Sequence, residues 1–78
     1  MFYVYILKLN NNKHYIGFSS NLKRRIKDHI RGCVSQTKNR RPIKLVYYSA
    51  FESKLKALRF EKYFKTPSGF AFRNKRLV

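Results

Sequence analysis

Apolar positions alternate first and then change period along this chain. Phe2–Leu9 reads FYVYILKL, with Phe2, Val4 and Ile6 on one face and Tyr3, Tyr5, Leu7 and Leu9 on the other. A strand apolar on both faces is covered on both sides, so this segment predicts the centre of a sheet. Asn10-Asn11-Asn12 predicts a turn, because asparagine tolerates left-handed backbone and bonds its own main chain. His14–Phe18 (HYIGF) then returns as the second strand of a hairpin, and Gly17 within it marks a bulge or a close approach. Beyond it, Leu22, Ile26 and Ile30 recur at helical spacing. Asn21 or Ser20 caps that helix, Gly32 stops it, and its apolar stripe is expected to face the core. Residues 33–42 (CVSQTKNRRP) read as a polar, basic loop closed by Pro42. Ile43–Ala50 predicts a third strand. Ser53 caps a second helix running to about Lys65, which Thr66-Pro67-Ser68-Gly69 breaks. The tail, Phe70–Val78, predicts a short docked helix. The expected fold is α+β, a three-stranded, largely antiparallel sheet flanked by helices in the order β-β-α-β-α-α.

Composition points to one domain spanning residues 1–78 and narrows its partners. At 78 residues the chain buries only about 60% of its unfolded surface, so it needs a dense core. A content of 44% hydrophobic and 17% aromatic residues supplies one and excludes disorder. Nineteen Lys and Arg against 3 Asp and Glu give a net charge of +16. Such a surface attracts polyanions by releasing their condensed counterions. Nucleic acid is the first partner to expect, and an anionic membrane surface the second. Phe2–Leu7 is cut by Lys8, too short to span a bilayer, and it lacks the features of a signal peptide. Cys33 is the single cysteine, which excludes an internal disulfide or a thiolate metal cage. A free thiol suits a reducing cytoplasm.

A few residues stand apart from this basic background. On the first helix, Lys23, Arg24, Lys27 and Arg31 project away from the apolar stripe, whereas Arg25 and His29 lie along its flank. They either point at whatever the helix packs on, or Arg25 snorkels at the core edge and His29 completes the stripe. Among the three acids, Asp28 sits between basic residues and Glu52 opens the second helix. Glu61 falls within an arc of Ala57, Leu58, Phe60 and Phe64 and is expected to face inward. A half-buried carboxylate needs a cation. Arg25 or Lys65 would serve in a salt bridge, and one hard divalent ion would serve in a site. Tyr5 and Tyr15 lie on the two hairpin strands. They share a sheet face if the turn holds three or five residues, and not if its length is even.

Taken in order, Tyr3-Val4-Tyr5, Tyr15-Ile16-Gly17, Arg25, His29 and Glu61 resemble the GIY-YIG nuclease superfamily. The likeness is to its small stand-alone members, similar to the excinuclease nuclease domain, and it spans roughly Phe2 to Lys75. It implies metal-dependent hydrolysis of nucleic-acid phosphodiesters, with Tyr3 standing where the first motif has Gly. Carried over by position, Tyr5 and Tyr15 match the two motif tyrosines, Arg25 and His29 the helical pair, and Glu61 the metal-binding glutamate. Asn74 is the counterpart of a late family asparagine. The implied roles are Tyr5 as base, with Tyr15 orienting water or phosphate, or the reverse. Arg25 grips phosphoryl oxygens, His29 relays a proton or fixes a tyrosine, and Glu61 holds one Mg²⁺ or Mn²⁺. Products with a 5′-phosphate and a 3′-hydroxyl are expected.

Lys38, Arg40 and Arg41 crowd one loop, and Arg73, Lys75 and Arg76 crowd the tail. These are expected to dock a nucleic-acid backbone, DNA in the first instance, without reading bases. No sequence-reading motif accompanies them, so recognition by substrate structure is expected. So short a chain makes a homodimer or a partner protein an expectation too. The competing assignment is a non-cleaving nucleic-acid-binding module, for which plain basicity suffices but the Tyr/Tyr/Arg/His/Glu set is not needed.

Overall fold

The computed structural model describes residues 1–69 of the chain. The expected tail helix, with Arg73, Asn74, Lys75 and Arg76, lies outside them. Strand β1 spans Phe2–Lys8 and β2 spans His14–Ser19. Helix α1 covers Leu22–Arg31, strand β3 Lys44–Phe51, and helix α2 Lys54–Phe64. The sheet has three strands in the order β2-β1-β3, and both pairings are antiparallel. The doubly apolar segment is the central strand, and Val4, Tyr5, Ile6 and Leu7 are all fully buried.

Local chemistry sets the connections. The hairpin closes through Leu9 N–H to Lys13 O at 2.8 Å, with Asn12 left-handed at φ 63°. Asn21 Oδ1 accepts from the Arg24 N–H at 3.1 Å and starts α1. Gly32, at φ 80°, ends it, where the Gly32 and Cys33 N–H groups bond the carbonyls of His29 and Asp28. Ser53 caps α2 through the Lys56 N–H. After α2 the break is shorter than its sequence suggests. Thr66 Oγ1 accepts from the Gly69 N–H at 3.1 Å, Pro67 takes the first-turn position it tolerates, and residues 67–69 are again helical.

The two sheet faces have different fates. Val4, Ile6 and Ile16 meet Ala57 and Phe64 of α2, ringed by Phe2, Phe18, Val46, Tyr47, Phe51 and Phe60. The Phe60 and Phe64 rings lie 4.3 Å apart. This is the main apolar core. Helix α1 covers the opposite face, but its predicted stripe does not make a second core. Ile30 is 58% exposed, and Leu22 and Ile26 are only half-buried. The buried α1 residue is His29, at 0% exposure. The 33–42 segment also departs from a plain polar loop. Val34 and Thr37 are buried in it, and Lys38–Arg40 forms a 3₁₀ turn.

Candidate functional site

The hairpin register decides where the tyrosines go. Tyr5 pairs with Gly17 and Leu7 with Tyr15, so Tyr5 and Tyr15 occupy the same face, the one under α1. Their ring centroids are 6.4 Å apart. The His29 ring stands edge-on to both, at 5.6 Å from Tyr5 and 5.2 Å from Tyr15. Gly17 is what lets Tyr5 lie this way. A Cβ there would collide with Tyr5 Cζ and with its hydroxyl. The phenol therefore reaches across bare backbone on the edge strand.

Tyr5 Oη and His29 Nε2 are 2.8 Å apart, and His29 Nδ1 lies 2.7 Å from Thr37 Oγ1. Arg25 makes a hydrogen-bonding contact with Tyr5 and a weaker one with Tyr15. A guanidinium only donates, so the Tyr5 oxygen is the acceptor toward Arg25. Both His29 contacts fit the tautomer in which Nδ1–H donates to Thr37 and Nε2 accepts from the phenol, and they fit its reverse. Thr37 thus orients the imidazole from a loop whose sequence gives no sign of it, beyond Val34 three residues before.

The electrostatics of the cluster hold the phenol and the imidazole neutral at rest. Burial pushes the Tyr5 phenol up to about 12; the Arg25 contact opposes this, and Tyr15 and the Glu61 carboxylate add to it. Burial first, and then the Arg25 charge, lower His29 to about 4, against a small pull from Asp28. Hydrogen bonding to Tyr5 raises Arg25 above its ordinary value. The phenol is therefore not a phenolate at neutral pH, although Arg25 favours one, because desolvation outweighs the nearby cation.

His29 makes stability pH-dependent with a definite sign. Its folded-state pKa lies below the ordinary 6.5, so unfolding takes up a proton as pH falls. The stabilisation is complete above about pH 6.5 and is lost down to about pH 4. We expect His29 to account for a loss of about 3 kcal/mol over that window. Urea unfolding at pH 7.5 and pH 4 measures it, and His29→Gln should flatten the difference by about that amount. An unchanged difference in the variant removes His29 as its source.

Glu61 lies on α2 with its side chain 20% exposed, and it pairs with Lys65 at 3.3 Å. Of the two salt-bridge partners open to it from sequence, the structure takes Lys65. Its charge reaches the Tyr5 phenol as the weakest of the influences on it, from a helix that packs on the opposite face of the sheet. Among the described residues no three His, Cys, Asp or Glu side chains gather into a metal cage. One carboxylate with oxygen donors does suit a hard divalent cation whose other ligands are water and phosphate.

A family description, the GIY-YIG catalytic domain, matches residues 1–76. The chain belongs to the GIY-YIG family. It is 47% identical over 66 residues to the UPF0213 protein CPE1444 of Clostridium perfringens, covering 83% of this chain and 71% of that one. It is 45% identical over 65 residues to the UPF0213 protein SH2523 of Staphylococcus haemolyticus, covering 82% and 79%. The solution NMR structure of the UPF0213 protein BH0048 from Bacillus halodurans is similar in fold, with a TM-score of 0.61 at 36% identity, covering 96% of this chain and 82% of that one. In this GIY-YIG domain Tyr5, Tyr15, Arg25 and His29 meet at one place on the sheet, and Glu61 lies on α2, the helix packed on the other face.

The loop bases divide. Lys38 and Arg40 are exposed on the 3₁₀ turn. Arg41, expected from sequence to dock nucleic acid, has its guanidinium turned to the chain itself. Its Nε donates to Lys38 O at 3.0 Å, and a terminal nitrogen donates to Ile30 O at 3.3 Å. It thereby satisfies a carbonyl at the end of α1, where a cation also answers the helix dipole. Among the described residues no helix is long and apolar enough to cross a membrane.

Proposed function

We propose that this protein is a metal-dependent endonuclease that hydrolyses nucleic-acid phosphodiesters, DNA in the first instance, by recognising structure rather than sequence. The observation that carries the reading is the Arg25–Tyr5–His29–Thr37 chain of contacts beside Tyr15, since binding alone needs no buried proton path.

Hydrolysis requires an aligned water, removal of its proton, and stabilisation of charge on phosphoryl and leaving oxygens. With Tyr5 protonated at rest, the arrangement favours a relay over a preformed phenolate. As water attacks, its proton passes to the Tyr5 oxygen while the phenol's proton passes to His29 Nε2. Thr37 keeps that nitrogen lone pair aimed at the phenol. Arg25 presents its planar fork to phosphoryl oxygens beside both tyrosines, and Tyr15 orients the water or the phosphate. A substrate phosphate brings negative charge near His29, which raises its readiness to take the proton. Glu61 would hold the divalent cation, Mg²⁺ or Mn²⁺, after releasing Lys65. That ion supplies Lewis-acid stabilisation of the leaving 3′ oxygen when bound. Lys38 and Arg40 position the backbone, with the reaction proceeding in the cytoplasm.

The test is a panel of labelled flap, nicked and blunt duplex DNA, with Mg²⁺, Mn²⁺ or chelator. The expected result is cutting that needs the metal, favours interrupted substrates and leaves 5′-phosphates. Metal-independent binding without cutting of any substrate would instead make this GIY-YIG domain a binding module.

A further inference from the structure

On the other flank of α1 from Arg25, a cleft of about 550 Å³ opens between the helix and the sheet. Its sheet side carries Tyr3 and Tyr48, whose rings are 6.4 Å apart and tilted by 59°. Leu22 and Ile26 form its helix wall, and Lys23 and Lys27 stand on that wall's outer side. Tyr48 is 55% exposed. It is also the direct cross-strand partner of Tyr5, so cleft and catalytic cluster share one sheet face.

This is the surface that the displaced stripe of α1 creates. With His29 turned into the sheet, Leu22 and Ile26, expected in the core, line an open cleft instead. A volume of this order accepts a small-molecule-sized group. Aromatic and aliphatic walls recognise a flat apolar face, and the lysines at the margin demand an anion attached to it. A second copy of this chain meets that demand badly, because its own +16 charge would bring lysine against lysine. A nucleobase on its phosphodiester chain meets both. In a duplex the base faces are hidden by stacking, so only an unpaired base can enter.

We propose that this cleft binds one unstacked base of the substrate, held against Tyr48 and Tyr3 with its phosphates on Lys23 and Lys27. The proposal rests on the nucleic-acid reading above but not on its cleavage step. It identifies the favoured substrate as one with a single-stranded segment next to the bond to be cut.

The test is binding in chelator, where no metal-dependent cleavage proceeds, with an oligonucleotide carrying the fluorescent base 2-aminopurine. The wild type should quench its emission, as stacking does. Tyr48→Ala should abolish the quench and weaken single-strand binding by about 5- to 150-fold. Blunt-duplex affinity should change less than about twofold, since phosphate contacts alone carry it. Tyr48→Phe should retain the wild-type behaviour. Because Tyr48 is largely exposed, its loss should leave the circular dichroism spectrum and melting temperature near wild type. Equal losses on single strand and duplex, or a wild type that does not quench, overturn the proposal. So does a wild-type dimer that Tyr48→Ala makes monomeric, for the cleft would then be a contact between copies. A protein that quenches but never cuts leaves this site standing and removes the nuclease; one that cuts without quenching does the reverse.

Discussion

Glu61→Gln should lower the metal-dependent cleavage rate by about 10²–10³-fold while leaving binding in chelator within about twofold of wild type. The substitution keeps the shape of the side chain and removes the charge that a divalent ion needs. Fold stability is a poor explanation for such a loss. The Lys65 partner is largely solvated, so the pair contributes less than about 1 kcal/mol. Cleavage measured across a range of Mn²⁺ concentrations tells the cases apart. Activity recovered by excess metal indicates weakened metal binding at Glu61. Unchanged turnover at every concentration removes Glu61 from the metal site.

Gly17→Ala should destabilise the fold by about 3 kcal/mol, the upper range for an overpacked core, and remove cleavage with it. The added methyl would meet Tyr5 at Cζ, Oη and Cε2, all closer than real Cβ contacts allow. Tyr5 is fully buried, so its ring cannot yield without breaking the bond to His29 or shifting the central strand. A double-mutant cycle separates this from a loss of backbone freedom. Truncating Tyr5 to Leu should recover much of the stability lost at Gly17, because the ring that clashes is gone. It should recover no activity. Tyr5→Phe should fail to rescue, since Cζ and Cε2 remain in the way. If Gly17→Ala proves as stable as wild type in urea, the phenol does not cross the edge strand as described.

Much of this arrangement can be read from the residues alone. Strand periodicity places the doubly apolar segment centrally, but it leaves the parity of the turn open, and only the pairing of Tyr5 with Gly17 puts Tyr5 and Tyr15 on one face. The orientation of α1 cannot be read that way. Leu22, Ile26 and Ile30 form the most apolar arc, and hydrophobicity alone sends that arc inward. The structure turns the helix toward His29, because its ring finds Tyr5 and Thr37 as partners and so loses little on burial. Leu22 and Ile26 are left beside the sheet as the wall of a cleft, and Ile30 stands exposed next to Arg41, Pro42 and Ile43. Thr37 is invisible for a related reason, since a lone threonine in a basic loop has no period to report its burial. Arg41 is a different case. A run of basic residues looks uniform in sequence, yet the guanidinium of this one is held by backbone carbonyls. The side of α2 on which Glu61 sits is legible, whereas its preference for Lys65 over Arg25 depends on geometry between elements.

The asparagine turn reaches further than its own hairpin. Asn10 donates its backbone N–H to Arg40 O and its side-chain Nδ2 to Arg41 O, both at 2.9 Å. The tip of the hairpin is thus laced to the segment that delivers Thr37 to His29. Hairpin tips ordinarily tolerate extra residues or an appended tag. Here such an insertion would slacken a tether, and the imidazole would lose its orientation from a point remote in sequence and open to solvent.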